Sequence, residues 1–212
     1  MRRSLLSCLF VTLVLSSAGA AAGVYEDLMN ALAIDDRATV EALLKKGVDP
    51  DTVSPKGDPL VLIAVREGKL EVLKTVLAHR PKVNARNALG ETALMHAAIR
   101  GRMDMVKLLL ESGAAVNQPG WTPLIYAAAG NQPDIARLFI ERGANVNAAA
   151  ENGTTALMMA AREGHLPVVL LLMEKGADIN HRSPFGWTAL GVAESRNRKD
   201  VAEILIRAGA ER

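Results

Sequence analysis

Few side chains of this 212-residue chain could act in catalysis or hold a metal ion. Histidines, cysteines and paired carboxylates are the groups that bind zinc or exchange protons near neutral pH. The histidines are scattered along the sequence, with no H-x-x-x-H spacing and no C-x-x-C partner: His79, His96, His165 and His181. Because the one cysteine, Cys8, also stands alone, the sequence predicts no metal site.

The remaining candidates for acid–base or phosphate chemistry lack suitable surroundings. The glycines recur at regular intervals and never cluster as G-x-G-x-x-G or G-x-x-x-x-G-K, the loops that cradle phosphates. Glu67, Asp134 and Glu163 each fall near an expected helix end, on a face that should be solvated. His96 lies among alanines and His165 follows a turn glycine, so packing explains both better than a ligand or base role. We predict that the protein is not an enzyme and uses no cofactor.

The elements that position these residues come from a repeat. One set of marker positions is spaced by 33, 33, 30, 33 and 33 residues: Gly47, Arg80, Gly113, Gly143, Gly176 and Gly209. A second set is spaced by 33, 30, 33 and 33 residues: Gly57, Gly90, Gly120, Gly153 and Gly186. A fixed period of this length indicates a stacked array in which each unit buries its apolar face against its neighbours.

Each unit is predicted to hold two helices, of about three turns each, as in 92–100 and 102–112, where apolar residues recur at helical spacing. The first helix should begin at a threonine that can cap it, namely Thr92, Thr122, Thr155 or Thr188. It should end at a left-handed residue, namely Gly101, Asn131, Gly164 or Asn197. Pro123 takes the first helical position, where its missing N–H has no cost.

The segments 120–124 (Gly-Trp-Thr-Pro-Leu), with alanines at 127 and 128, and 176–180 (Gly-Ala-Asp-Ile-Asn) resemble the ankyrin repeat. The resemblance implies an all-α solenoid of about six helix-pair units joined by β-hairpin-like fingers. It covers a repeat domain at 23–212, with units at 24–51, 52–84, 85–117, 118–147, 148–180 and 181–212.

The chain departs from the family pattern in two ways. The family usually has a histidine three residues after the cap threonine, whereas this chain has Met95, Ile125, Met158 and Gly191 there. Apolar packing can replace the lost hydrogen bond, so we expect altered stability and an intact fold. The second unit is the least regular, since Pro59 replaces the cap threonine and Arg80 replaces a glycine.

The segment 1–22 reads as a secretory signal peptide. Arg2 and Arg3 precede an apolar run at 5–15 and a small-residue stretch that offers cleavage after Ala20 or Ala22. We expect export to the periplasm, with the extracellular space as the alternative compartment. Cys8 could suggest lipidation, but most of the apolar run follows it, and the arginine pair is more typical of an ordinary signal than of the twin-arginine route.

Removal of this segment changes the net charge. The 25 lysines and arginines of the chain become 23, equal to the 23 aspartates and glutamates, because 1–22 holds two arginines and no acid. A neutral chain has no general attraction to nucleic acid or to anionic membranes. We therefore expect no nucleic-acid partner and no membrane insertion after signal removal.

Aromatic residues mark the expected partner-binding surface. Trp121 and Trp187 occupy the variable position between the turn glycine and the cap threonine, and Phe185 lies at a finger tip. In proteins of the resembled family these positions face the concave side, where large aromatics anchor interfaces. Alternatively, the two tryptophans cover the neighbouring finger and serve packing alone. Tyr126 lies on the helix that Trp121 precedes and is included with them.

Arginines and one shortened unit extend this hypothesis. Four arginines end first helices and could form a basic ladder on the concave side: Arg66, Arg100, Arg162 and Arg196. Arginine at a helix C-terminus also simply complements the helix dipole. The finger of unit four is three residues shorter than that of unit three, which could open a notch at Trp121 or be neutral loop variation.

The sequence thus predicts an exported module that binds a partner protein through its concave finger and helix surface. The resemblance to periplasmic ankyrin-repeat proteins implies that the partner could be an enzyme that the module supports, such as a periplasmic catalase. The alternative is an inhibitor or immunity protein that blocks a toxic enzyme. An enzyme in its own right is the less favoured reading.

Overall fold

The computed structural model describes residues 23–211, so the predicted signal peptide lies outside the described residues. Within 23–211 the chain forms twelve helices and no strand, with isolated antiparallel bridges at Val53–Pro59 and Ala149–Thr155. Each predicted unit holds one helix pair. The helices are α1 (23–33), α2 (Arg37–Lys45), α3 (Leu60–Arg66), α4 (Leu70–Ala78), α5 (Ala93–Ile99), α6 (Met103–Glu111), α7 (Pro123–Ala129), α8 (Pro133–Glu141), α9 (Ala156–Glu163), α10 (Leu166–Glu174), α11 (Ala189–Ser195) and α12 (Lys199–Arg207).

The first helices of units three to six begin as predicted. Each cap threonine accepts a hydrogen bond, at 3.0 to 3.4 Å, from the backbone N–H three residues on: Met95, Ile125, Met158 and Gly191. The prediction of about three turns was wrong for these helices, which have seven or eight residues. The reason is that the cap and the left-handed turn residue are only nine positions apart.

The predicted turn residues adopt the left-handed conformation that ends the first helix. Gly101 and Gly164 have φ of 68° and 83°, and Asn131 and Asn197 have φ of 54° and 56°. Arg80 has φ of 53° at a position that other units fill with glycine. A long side chain carries a steric cost in this region, which confirms unit two as irregular.

Asparagines tie consecutive units together in a ladder that runs along the array. Each side-chain amide donates to a glycine carbonyl of the next unit at 2.7 to 3.3 Å. Each side-chain oxygen accepts a backbone N–H of that same unit at 2.8 to 2.9 Å. The ladder consists of Asn84, Asn117, Asn147 and Asn180. Asp51 takes the corresponding position in unit one and accepts from the N–H of Lys82 at 2.7 Å.

Small residues on the first helices produce the curvature of the array. From unit two to unit six, first helices of neighbouring units contact each other more extensively than second helices do. Fully buried alanines such as Ala97, Ala127 and Ala160 allow this close approach, whereas second helices present larger side chains such as Leu109 and Phe139. Because the first helices lie closer together, the array is concave on the side of the first helices and the fingers.

Candidate functional site

One position in each unit controls the chemistry of the concave surface. We call this position the finger slot. It directly follows the glycine of each finger, namely Gly57, Gly90, Gly120, Gly153 or Gly186. In units two to six it is occupied by Asp58, Glu91, Trp121, Thr154 and Trp187. The slot is acidic in units two and three and aromatic in units four and six. The concave surface is therefore divided into a polar part and an aromatic part.

The polar part is a continuous hydrogen-bonded group, the polar cluster, formed by Asp58, Arg66, Asn87, Glu91, His96 and Tyr126. The Glu91 carboxylate accepts from the Asn87 amide at 3.0 Å, from His96 Nε2 at 2.9 Å and from the Tyr126 hydroxyl at 2.8 Å. The Asn87 amide also donates to Asp58, at 3.2 Å. These contacts link units two, three and four.

Burial and hydrogen bonding compete in setting the pKa values of this cluster. Burial alone would raise the pKa of Glu91, but the hydrogen bonds from His96, Asn87 and Tyr126 outweigh it and hold the pKa below its usual value. The same balance lowers the pKa of Asp58, where the bonds come from Arg66 and Asn87. Burial, followed by the bond to Glu91, raises the pKa of the Tyr126 phenol. Both carboxylates are therefore charged and engaged with donors at neutral pH.

The four predicted arginines lie in two separate pairs. Arg66 bonds the Asp58 carboxylate at 2.7 Å, and the Arg100 guanidinium donates to the backbone carbonyl of Arg66. Arg162 and Arg196 lie in units five and six, beside the aromatic part. Between the pairs, unit four has alanine and glycine at 129–130 and contributes no charge.

The aromatic part borders a partly open cavity of about 750 Å³ that spans units four to six. This aromatic cavity has tryptophans on the finger side and arginines at the C-terminal ends of the first helices. Its principal lining residues are Trp121, Met158, Arg162, Trp187, Val192 and Arg196. Four of the eight predicted binding residues thus meet in one concave site.

The two tryptophans differ in how firmly they are packed. Trp121 is partly buried against the core, and its ring meets Tyr126 edge-on at 6.2 Å between centroids. Trp187 is 50% exposed, and its ring contacts that of Phe185, which is 67% exposed, at 5.4 Å. Trp121 therefore combines packing with a place in the cavity wall, while Trp187 and Phe185 form an exposed aromatic pair.

The sequence family follows from a direct comparison. A family model described as ankyrin repeats, in three copies, matches residues 28–119, 61–150, 115–183 and 149–211, almost the whole described chain. The chain belongs to the ankyrin-repeat family. Ankyrin repeats form a non-catalytic interaction fold, so this ankyrin-repeat chain is a protein–protein interaction module.

Relatives share short stretches of this ankyrin-repeat chain. Alpha-latroinsectotoxin-Lt1a of Latrodectus tredecimguttatus is 40% identical over 75 residues, which are 35% of this chain and 5% of the toxin. Alpha-latrocrustotoxin-Lt1a of the same species is 37% identical over 79 residues, 37% of this chain and 6% of that toxin. The B-cell lymphoma 3 protein homolog of Mus musculus is 38% identical over 73 residues, 34% of this chain and 16% of that protein. The chain therefore spans only a small part of these curated relatives.

Two of the histidines contact the preceding unit. His165 Nε2 lies 3.1 Å from the carbonyl of Ala129 in the preceding unit, and His181 Nε2 lies 3.1 Å from that of Gly153. Among residues 23–211, no group of three or more His, Cys, Asp or Glu side chains could hold a metal ion. In the same range no helix has both the length and the apolarity to cross a bilayer.

Sequence reasoning missed two sets of residues that join consecutive units. The asparagines of the ladder recur at the same position of the repeat and are visible in the sequence. Their hydrogen bonds depend on how the next unit is stacked, which the sequence does not show. Glu91 and Asp58 occupy the same finger slot as the two tryptophans, so the slot itself was the available signal.

Proposed function

We propose that this protein is an exported ankyrin-repeat module that binds a partner protein through the aromatic cavity and the adjoining concave surface. The observation that supports this proposal is the meeting of Trp121, Trp187, Arg162 and Arg196 around one cavity. Tryptophan and arginine are the residues most enriched at the energetic centres of interfaces. The Phe185–Trp187 pair adds exposed apolar surface beside the cavity.

Export to the periplasm is part of the proposal. It rests on the sequence pattern of 1–22, with an arginine pair, an apolar run and small residues before the array. The array itself suits an oxidising compartment because Cys8, the one cysteine, lies within the proposed signal peptide.

The proposed role at the partner is support of a periplasmic enzyme, such as a catalase. It rests on the resemblance to periplasmic ankyrin-repeat proteins. The polar cluster does not favour a catalytic role for the module itself, because the carboxylates of Glu91 and Asp58 are already engaged with donors from His96, Asn87 and Arg66. A reactive acid or base needs a lone pair or proton directed at substrate.

Affinity purification of the tagged protein from the exported fraction tests this proposal. We expect a co-purifying protein that is lost with the double variant Trp121→Ala/Trp187→Ala and kept with Arg142→Gln, a charge change at the exposed end of α8. Circular dichroism of both variants checks that the array is folded. Recovery of the same protein with the double variant would contradict the proposal.

The activity of the recovered partner decides its role. If the partner is an enzyme that is supported, its activity or lifetime rises when the module is added, and catalase activity is measured first. A fall in activity would instead show the inhibitor or immunity role. Recovery of the precursor with residues 1–22 intact in the cytosol would overturn the proposed localisation.

A further inference from the structure

We infer that the aromatic cavity binds an extended segment of the partner in which apolar and acidic residues alternate. This inference rests on the proposed function and specifies the chemistry of the segment. It follows from the placement of Trp121 and Trp187 on one side of the cavity and of Arg162 and Arg196 on the other.

The apolar side of the cavity lies at the fingers. Trp121 and Trp187 stand in the finger slots of units four and six, and the slot between them holds Thr154, which is only 9% exposed. Met158 and Val192 form part of the floor. Gly191 also lines the cavity, in the position that Met95, Ile125 and Met158 fill in units three to five, so unit six places no side chain there. Two indole rings together with methionine and valine in the lining suit large apolar side chains.

The cationic side lies across the first helices, at their C-terminal ends. Arg162 is the seventh residue of α9 and Arg196 directly follows α11. At a rise of 1.5 Å per residue, about 10 Å separates these positions from the helix starts beside the finger slots. Glu194 of α11 and Arg182, which lies in the finger of unit six and donates to the Gly186 carbonyl, also line the cavity, so the lining holds three arginines and one glutamate. The lining has an excess of positive charge and suits carboxylates.

The guanidinium groups of Arg162 and Arg196 are both accessible. Arg162 has its Nε 3.4 Å from the carboxylate of Glu163, a pair whose side chains are 46% and 37% exposed. A solvent-exposed ion pair of this kind contributes little, so the guanidinium can rearrange toward an incoming carboxylate. Arg196 is exposed at the edge of the cavity, so its guanidinium is accessible to an incoming carboxylate.

The length of the cavity determines the length of the segment. From unit four to unit six there are two steps of about 10 Å, the packing distance of neighbouring helices. An extended chain covers this distance with about six residues at 3.3 Å each. Successive side chains of an extended chain point to opposite sides. A segment running along the cavity therefore directs every second side chain toward the tryptophans and the others toward the arginines.

The two tryptophans of the chain are Trp121 and Trp187, so tryptophan fluorescence reports on this cavity alone. The probe is the blocked peptide acetyl-Ser-Glu-Phe-Glu-Phe-Ser-amide. The first control peptide, acetyl-Ser-Glu-Glu-Phe-Phe-Ser-amide, has the same composition without alternation. The second, acetyl-Ser-Gln-Phe-Gln-Phe-Ser-amide, keeps the alternation without charge. The variants Trp121→Phe and Trp187→Phe isolate each indole while keeping an aromatic wall.

We expect the probe to change the emission of both single-tryptophan variants in a saturable way. Both control peptides should bind at least about tenfold more weakly, since each loses charge-assisted hydrogen bonds. Arg196→Gln and Arg162→Gln should each weaken binding of the probe about five- to tenfold, and Arg142→Gln should leave it unchanged. Higher salt should weaken the binding of the probe and not that of the glutamine peptide.

Several results would overturn the inference. These are the absence of a saturable response up to about 5 mM probe, where even a weak millimolar site responds, equal binding of either control peptide, or an equal effect of Arg142→Gln. A change of emission with protein concentration alone would show that a second copy of this chain occupies the cavity instead. If the tryptophan variants still lose the co-purified partner while the probe fails, the proposed function stands and only the alternating segment is excluded.

Discussion

Replacement of Asn117 by alanine tests the asparagine ladder as the bond between units three and four. The Asn117 amide donates to the carbonyl of Gly143 at 2.7 Å, and its oxygen accepts the N–H of Asn145 at 2.9 Å. Both distances lie in the normal range for N–H···O bonds. Alanine removes both bonds and leaves the fold of the loop otherwise unchanged.

The expected loss follows from this geometry. A typical intramolecular hydrogen bond contributes about 0.5–1.5 kcal/mol net. Because Asn117 is exposed, water can replace the lost partners, so the lower half of this range applies. Two bonds then give a decrease of about 1–2 kcal/mol in the free energy of unfolding. Asn147→Ala breaks the corresponding pair between units four and five, and the double variant should lose the sum within about 0.5 kcal/mol.

Urea denaturation followed by circular dichroism measures this loss, with unfolding free energies from linear extrapolation. The matched control is Asn145→Ala in the same loop. The Asn145 side chain accepts a hydrogen bond from the N–H of Asn147, two residues on, and its backbone N–H stays available to Asn117. The control should change the unfolding free energy by less than about 0.5 kcal/mol. Equal effects of Asn117→Ala and Asn145→Ala would refute the assignment of the ladder as an inter-unit bond.

Three further predictions concern other contacts between and within units. Gly130→Ala should lower the free energy of unfolding by about 2 kcal/mol or more, because a Cβ there would lie 2.2 Å from the carbonyl oxygen of Ile99 in the preceding unit. Urea denaturation, with Ala129→Gly for comparison, measures this loss. Arg80→Gly should raise that free energy by about 1 kcal/mol by removing a left-handed arginine, and an unchanged denaturation midpoint would contradict this. Glu91→Gln should make the free energy of unfolding depend less on pH in the acid range. A carboxyl whose pKa is lowered in the folded state stabilises the fold above its unfolded pKa of about 4.3, and this contribution is lost as pH falls through the folded pKa. A profile between about pH 3 and pH 6 that matches the parent protein would exclude this role of Glu91.

The repeat itself was readable from the sequence because its signals are local. A cap threonine such as Thr122, a left-handed Asn131 nine residues later and Ala127 between them specify a short helix without reference to other units. Because the same residues recur in successive units, each unit stacks on the next through the same kind of contact. This explains why the helix pairs and the positions of their ends were predictable.

The polar cluster was not predictable because its bonds cross from unit to unit. Glu91 and Tyr126 are 35 residues apart in sequence, and Asn87 and Asp58 are 29 apart. Their contacts depend on the distance between first helices, which is set by the alanines packed between them. The same limit applies to the arginines. The sequence shows that Arg66 and Arg100 lie at helix ends, but it does not show that the Arg100 guanidinium donates to the backbone carbonyl of Arg66.

The finger slot explains why one scaffold has two kinds of surface. In each unit the slot residue is five positions before a residue on the outer turn of the first helix, so Glu91 is paired with His96, Trp121 with Tyr126 and Trp187 with Val192. Where the pair is a glutamate and a histidine, the two side chains bond each other, as Glu91 and His96 do at 2.9 Å. Their polar groups are then engaged within the array. A tryptophan with a valine has no such bond to make, and its ring is left half exposed. Glu91 also accepts from the Tyr126 hydroxyl of unit four at 2.8 Å, whereas Trp187 of unit six stays exposed. The change from the first pair to the last lies at unit four, whose Trp121 contacts Tyr126 on one side and lines the aromatic cavity on the other.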